Sequence, residues 1–160
     1  MKKVLLAFIV CLSSATHADW QYRSDTDQMT SKKSSFATLE SNSSLDLRFP
    51  YGGTNNSYLT VRQHPKYGLD VILRIDKGQI LCSDYGGCPI EVRFDDAQPI
   101  KFEGTEAGDH SSTTVFLQNK QKFILLAKKA KKILVRVNLY QNGAPVMEFF
   151  SSKPLEWPTR

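Results

Sequence analysis

The sequence contains few of the residues that build metal and redox centres, with three cysteines and three histidines in 160 residues. Cys82 and Cys88 have no histidine or further cysteine nearby to complete a tetrahedral metal site. We also find no glycine-rich phosphate-binding motif and no nucleophile motif. The sequence therefore predicts no metal, no cofactor and no enzymatic activity.

A strong excess of charge and long apolar runs are also absent. The chain has 21 Lys and Arg against 16 Asp and Glu, a formal net charge of +5, which is too mild to indicate nucleic acid binding. After Leu12 no apolar run approaches the roughly 20 residues that a membrane-spanning helix needs. We therefore expect neither a nucleic acid partner nor an integral membrane segment in the processed chain.

The first 18 residues have the layout of a secretory signal. Two lysines precede an apolar run from Val4 to Leu12, and small and polar residues lead to Ala18. Cleavage after Ala18 would leave a single β-rich domain over residues 19–160. Cys11 leaves a lipoprotein signal open as an alternative, although the valine before it stands where a small residue is wanted. We predict a periplasmic or secreted protein.

The two cysteines outside this signal are expected to form a disulfide in an oxidising compartment. A Cys82–Cys88 bond would close the loop "CSDYGGC" and stabilise the fold by roughly 2.4 kcal/mol on a chain-entropy estimate. Because its two glycines permit positive φ, the stapled loop could present Asp84 and Tyr85 as a preorganised contact pair. The alternative is a loop that is only a stabilised turn.

Alternation of apolar and polar residues indicates antiparallel strands through most of the chain. The pattern runs through 45–49, 59–61, 69–75, 90–94, 100–102, 135–139 and 146–150. Asp76-Lys77-Gly78 is placed where a tight hairpin is wanted. We predict a mainly β fold, an antiparallel β-sandwich or strongly bent sheet with one packed α-helix near the C-terminus.

The predicted helix runs from Asn119, a candidate N-cap, to Lys132. Phe123, Leu126 and Ala127 are spaced to share its apolar face. The opposite, basic face is a candidate binding surface for anionic lipid or an acidic partner, or else a solvated face. Its lysines are Lys122, Lys128, Lys129 and Lys132.

Two short polar motifs resemble catalytic groups but favour turns. Asp95 and Asp96 are adjacent, so on a strand their carboxylates would point to opposite faces and would not converge on one atom. The tetrapeptide Asp109–Ser112 contains the residue types of a hydrolase triad, but a triad needs side chains from separate elements. Neither motif is expected to be catalytic.

The C-terminal half resembles the type VI secretion-associated TagO/VasI family. The resemblance runs from "VRFDDAQP" through "FLQNKQKFILLAKKAKKILVRVNLY" to "MEFF", about Glu91 to Phe150. It implies a periplasmic accessory protein with a β-rich fold, and it carries no catalytic signature.

Two functional hypotheses follow. The first is a non-enzymatic exported protein that acts by contact with a protein partner, as an envelope or secretion-associated accessory factor. The alternative is a periplasmic inhibitor or immunity protein that blocks a cell-wall hydrolase or toxin with the disulfide-stapled loop.

Overall fold

The computed structural model describes residues 19–83 and 87–158. The predicted signal sequence lies outside these residues. In the described part of the chain, no helix combines the length and apolar character needed to cross a membrane.

Nine strands and one helix make up the described fold. The strands are β1 (Gln21–Thr26), β2 (Lys33–Glu40), β3 (Ser57–His64), β4 (Gly68–Ile75), β5 (Cys88–Phe94), β6 (Ile100–Glu106), β7 (Thr114–Leu117), β8 (Lys132–Val137) and β9 (Val146–Phe150), and the helix is α1 (Lys120–Ala127). All strands belong to one open antiparallel sheet in the order β1-β2-β3-β4-β7-β6-β5-β8-β9. The prediction of a mainly β fold with one packed helix is confirmed.

The sheet is strongly bent, because residues beside its two edge strands meet. Asp19, which precedes β1, accepts hydrogen bonds from the Ser152 backbone N–H at 2.7 Å and from the Ser152 hydroxyl at 2.9 Å. Asn42 donates its backbone N–H to the carbonyl oxygen of Glu148 in β9 at 2.8 Å. Strands at opposite ends of the order can approach in this way only if the sheet curls.

Helix α1 packs against the apolar face of the bent sheet. The fully buried ring of Phe123 meets the ring of Phe94 edge to face at 5.4 Å between centroids, and that of Phe102 at 6.1 Å. Such pairs favour this geometry because the positive ring edge meets the negative ring face. The contact fixes α1 over β5 and β6.

The helix is shorter than the sequence predicts. Asn119 does stand at the N-cap, but in the left-handed conformation and with no side-chain capping bond. The helix ends at Ala127 because the Asp95 carboxylate accepts the backbone N–H groups of Lys131 at 3.0 Å and Lys132 at 2.9 Å. These bonds draw the chain into β8.

Two further strand predictions are wrong. Segment 45–49 forms no ladder: Leu45 and Leu47 are buried, whereas Phe49 is 92% exposed. Asp76-Lys77-Gly78 does not close a hairpin, since Ile80 forms only an isolated bridge, to Leu139. In both segments the alternating apolar side chains anchor loops.

Candidate functional site

A groove of about 800 Å³ lies at one end of the bent sheet. Its floor comes from the ends of β1 to β4, and its roof comes from α1 and the tail that follows β9. The lining consists of Tyr22, Arg23, Ser24, Ser35, Phe36, Gln63, Leu69, Gln121, Ile124, Leu125, Glu156, Trp157 and Pro158. This volume is within the range typical of small-ligand pockets and is partly walled by aromatic rings.

The floor exists because the core-facing row of the sheet loses its large apolar residues here. Side chains alternate along a strand, so Ser35 shares the face of buried Ala37 and Leu39. Ser35 pairs with Gln63, which pairs with Leu69 on the next strand. Small and polar side chains thus replace the core-filling residues, and the layer beneath them stays open.

The C-terminal tail forms one wall of the groove and is tied to both neighbouring elements. The Glu156 backbone N–H donates to the Tyr22 hydroxyl oxygen at 2.8 Å, and the Leu155 N–H donates to the Ala127 carbonyl at 3.2 Å. Leu155 is buried and Trp157 is half-buried against the core. The wall is therefore held by packing as well as by hydrogen bonds.

The groove leaves large apolar side chains in contact with solvent. Tyr22 is 51% exposed and Leu125 is 52% exposed, and the two stand on opposite sides of the opening. Exposed apolar groups gathered around a concavity are typical of contact sites. An apolar side chain inserted here would remove both residues from water.

The titratable groups of the groove offer little for acid–base chemistry. Among the described residues that line it, only Tyr22, Arg23 and Glu156 titrate. Burial is the main cause that raises the pKa of the Tyr22 hydroxyl, and the hydrogen bond from the Glu156 N–H partly offsets it. The hydroxyl therefore stays protonated at neutral pH, and the lining favours binding.

The β3–β4 turn carries a basic and aromatic cluster on the other face of the sheet. The His64 Nδ1 atom accepts the backbone N–H groups of Lys66 at 3.1 Å and Tyr67 at 3.3 Å, and the rings of His64 and Tyr67 stack at 4.6 Å. The Arg62 guanidinium lies 5.7 Å from the centre of the Tyr67 ring. These contacts fix the turn beside the groove.

Below that turn, Asp70 is a nearly buried carboxylate with two cationic partners. Its Oδ2 atom accepts hydrogen bonds from Arg62 Nη2 at 2.6 Å and Nε at 3.0 Å, and Lys120 Nζ lies 3.5 Å from Oδ1. Arg62 also lies over the Phe116 ring, 5.6 Å from its centre. Because Lys120 opens α1, the cluster ties the helix to the sheet that floors the groove.

The predicted Cys82–Cys88 disulfide is present, and it lies at the start of β5, away from the groove. Ser83 and Gly87 exchange backbone hydrogen bonds of 2.8 and 3.0 Å, so the base of the loop is fixed twice. Cys88 is fully buried. The candidate contact residues Asp84 and Tyr85 lie outside the described residues.

The four lysines predicted to form one helical face do not lie on one helix. Lys122 is in α1, with Nζ over the Phe102 ring at 5.8 Å, whereas Lys128 and Lys129 follow the helix end. Lys132 belongs to β8 and forms an ion pair with Glu148 at 2.6 Å. The prediction of a continuous basic helix face is wrong, because the Asp95 contacts end the helix early.

The two polar motifs lie in turns, as the sequence indicates. Asp95 has a φ of 47° and Asp96 forms an ion pair with Arg93 at 3.5 Å. His110 has a φ of 59°, and the Ser111 N–H donates to the Asp109 carboxylate at 3.1 Å. Within residues 19–83 and 87–158, no group of three His, Cys, Asp or Glu side chains could hold a metal ion.

No protein-family model matches this chain, and no curated protein matches its sequence. Among solved structures it aligns with the crystal structure of invasion associated protein B from Bartonella henselae. The two chains are 15% identical over 85% of this chain and 84% of that chain, with a TM-score of 0.48. A likeness of this extent supports no conclusion about what this chain does.

The groove is the part of the site that sequence reasoning missed. Its floor depends on β1 and β2, and the apolar alternation that revealed other strands is weak there. All six residues of β1, "QYRSDT", are exposed. Tyr22 within a polar stretch, with Trp157 near the C-terminus, was the available signal.

Proposed function

We propose that this chain is a non-enzymatic exported protein that acts by contact, with the groove holding an apolar segment of a protein partner. The observation that carries the proposal is the open groove of about 800 Å³, in which Tyr22 and Leu125 remain half exposed although the tail and helix around them are firmly packed. Aromatic side chains in concave sites are typical anchors of protein interfaces.

Export is supported by the signal-like first 18 residues and by the disulfide, which is rare in reducing compartments. A periplasmic or secreted location is compatible with both. The resemblance of residues 91–150 to the TagO/VasI family favours an accessory role in the envelope or in secretion.

A second candidate function is inhibition of a cell-wall hydrolase or toxin by the disulfide-stapled loop. The disulfide and the reciprocal Ser83–Gly87 hydrogen bonds fix the base of this loop. A loop held in this way could bind in a cleft with little loss of conformational entropy.

The two functions are distinguished by affinity capture of partners from the native compartment with four forms of the mature protein. These are wild type, Leu125→Glu in the groove, Tyr85→Ala in the loop and Val146→Glu as a control. Val146 is 47% exposed on β9 and is outside the groove, so it matches Leu125 in exposure and apolar character.

A charge placed in the groove should weaken partner binding by at least about tenfold, since an apolar anchor would have to be desolvated against it. We expect Leu125→Glu alone to lose the partner. Loss with Tyr85→Ala alone would support the inhibitor function instead. Retention of the same partner by all four forms would contradict both.

A further inference from the structure

The edge strand β1 directs a row of backbone groups away from the sheet. The Asp27 N–H donates to the Lys32 carbonyl at 2.9 Å, which makes the adjacent Thr26–Lys33 pair a non-hydrogen-bonded pair. Because the two kinds of pair alternate along an antiparallel ladder, Tyr22, Ser24 and Thr26 point their N–H and C=O groups away from β2.

Nothing in the described part of the chain pairs with that edge. β1 is the terminal strand of the sheet order, and its neighbour is β2 alone. The C-terminal tail reaches β1 at the Tyr22 hydroxyl, the tip of a side chain, and not at the backbone. An unpaired row of this kind is a template for another strand.

The side chains on the outer face of β1 carry a symmetric charge pattern about Ser24. Arg23 and Asp25 flank this residue and form an ion pair at 3.0 Å, with side chains 69% and 56% exposed. The Arg23 guanidinium also lies 4.9 Å from the centre of the Phe36 ring, which holds it on the outer face. Both charges are thus oriented and accessible.

We propose that β1 pairs antiparallel with β1 of a second copy of this chain, about a two-fold axis through Ser24. In this register Tyr22 of one copy faces Thr26 of the other, and their outward N–H and C=O groups bond to each other. Arg23 then faces Asp25 of the second copy in a non-hydrogen-bonded pair, where side chains approach most closely. The two-fold axis repeats every contact, as a closed dimer requires.

The charge pattern also selects this register over its neighbours. A shift toward the start of β1 would place Arg23 opposite Arg23 of the second copy, and a shift toward its end would place Asp25 opposite Asp25. Like charges directly opposite each other destabilise strand pairing. Only the register centred on Ser24 pairs each charge with its opposite.

The dimer goes beyond the proposed function and leaves the groove available. Pairing uses the backbone edge and the outer face of β1, whereas the groove lies on the core-facing side. The two grooves would open on the same side of one continuous sheet. Leu125→Glu should therefore abolish partner binding and leave self-association unchanged.

Sedimentation velocity over a wide range of protein concentrations, with wild type, Arg23→Asp and Asp25→Arg, tests the dimer. Each variant alone replaces two attractive cross-strand pairs by two repulsive ones, so self-association should weaken roughly 10- to 100-fold. An equal mixture of the two variants restores opposite charges at both positions, and it should associate about as tightly as wild type. Circular dichroism checks that each variant is folded.

Three results would overturn the proposal. Wild type could remain monomeric at all concentrations, the single variants could associate as tightly as wild type, or the mixture could fail to regain association. The last result would mean that a residue other than the Arg23–Asp25 pair determines the interface.

Discussion

Gly104→Ala tests the close packing at the centre of the sheet. A Cβ at position 104 would lie 2.6 Å from Val115 Cγ2, 2.8 Å from Ile90 Cδ1 and 3.2 Å from Cys88 Cβ. Val115 and Cys88 are fully buried and Ile90 is 1% exposed, so none of them can move into solvent. Gly104 also pairs with Cys88 in the ladder, which places the crowding at the base of the disulfide loop.

Overpacking of a core by one methyl group costs about 1–3 kcal/mol. The lower chain entropy of unfolded alanine offsets about 0.4–1 kcal/mol of this. We therefore expect Gly104→Ala to lower the free energy of unfolding by roughly 1–2 kcal/mol. Urea denaturation followed by circular dichroism measures the change, and an unaltered slope would show that the unfolded state is unaffected.

Two further variants make this prediction specific. Val115→Ala removes the nearest methyl group, so the double variant should regain part of the loss, with a coupling energy of about 0.5–3 kcal/mol. Gly108→Ala is the control, because a Cβ at 108 meets nothing within 4 Å, and its effect should stay within about 0.5 kcal/mol. A Gly104→Ala protein as stable as wild type, or one that is uncoupled from Val115→Ala, would refute the packing argument.

The disulfide and the sheet seam give two further predictions. Replacing Cys82 and Cys88 by alanine should lower the free energy of unfolding by about 2–3 kcal/mol and the melting temperature by roughly 5–10 °C; a loss below about 0.5 kcal/mol in urea denaturation would show that loop closure contributes little. The hydrogen bonds from the Ser152 backbone N–H and hydroxyl lower the pKa of Asp19 below its usual 3.8. Folding therefore favours the ionised form, and the stability that Asp19 adds is present at neutral pH and lost as pH falls below about 5. Asp19→Asn should flatten the acid limb of a stability-versus-pH curve, and an unchanged limb would show that the seam does not depend on this charge.

Local patterns predicted the elements whose burial follows local rules. Period-two alternation revealed β3, β4, β5 and β9, since each has one face in the core, and cysteine chemistry predicted the disulfide. The end of α1 could not be predicted, because it depends on Asp95, more than 30 residues away in sequence. β1 escaped because its exposed residues carry no alternation, and with it the groove and the dimer edge escaped too.

Photocross-linking from the groove in the native compartment tests the central claim most directly. A benzophenone amino acid at position 125 should join the protein covalently to one partner, because Leu125 lies at the opening of the groove. The same probe at position 146, on β9 outside the groove, should give no such product. A partner joined from position 146 and not from position 125 would contradict the assignment of the groove as the contact site.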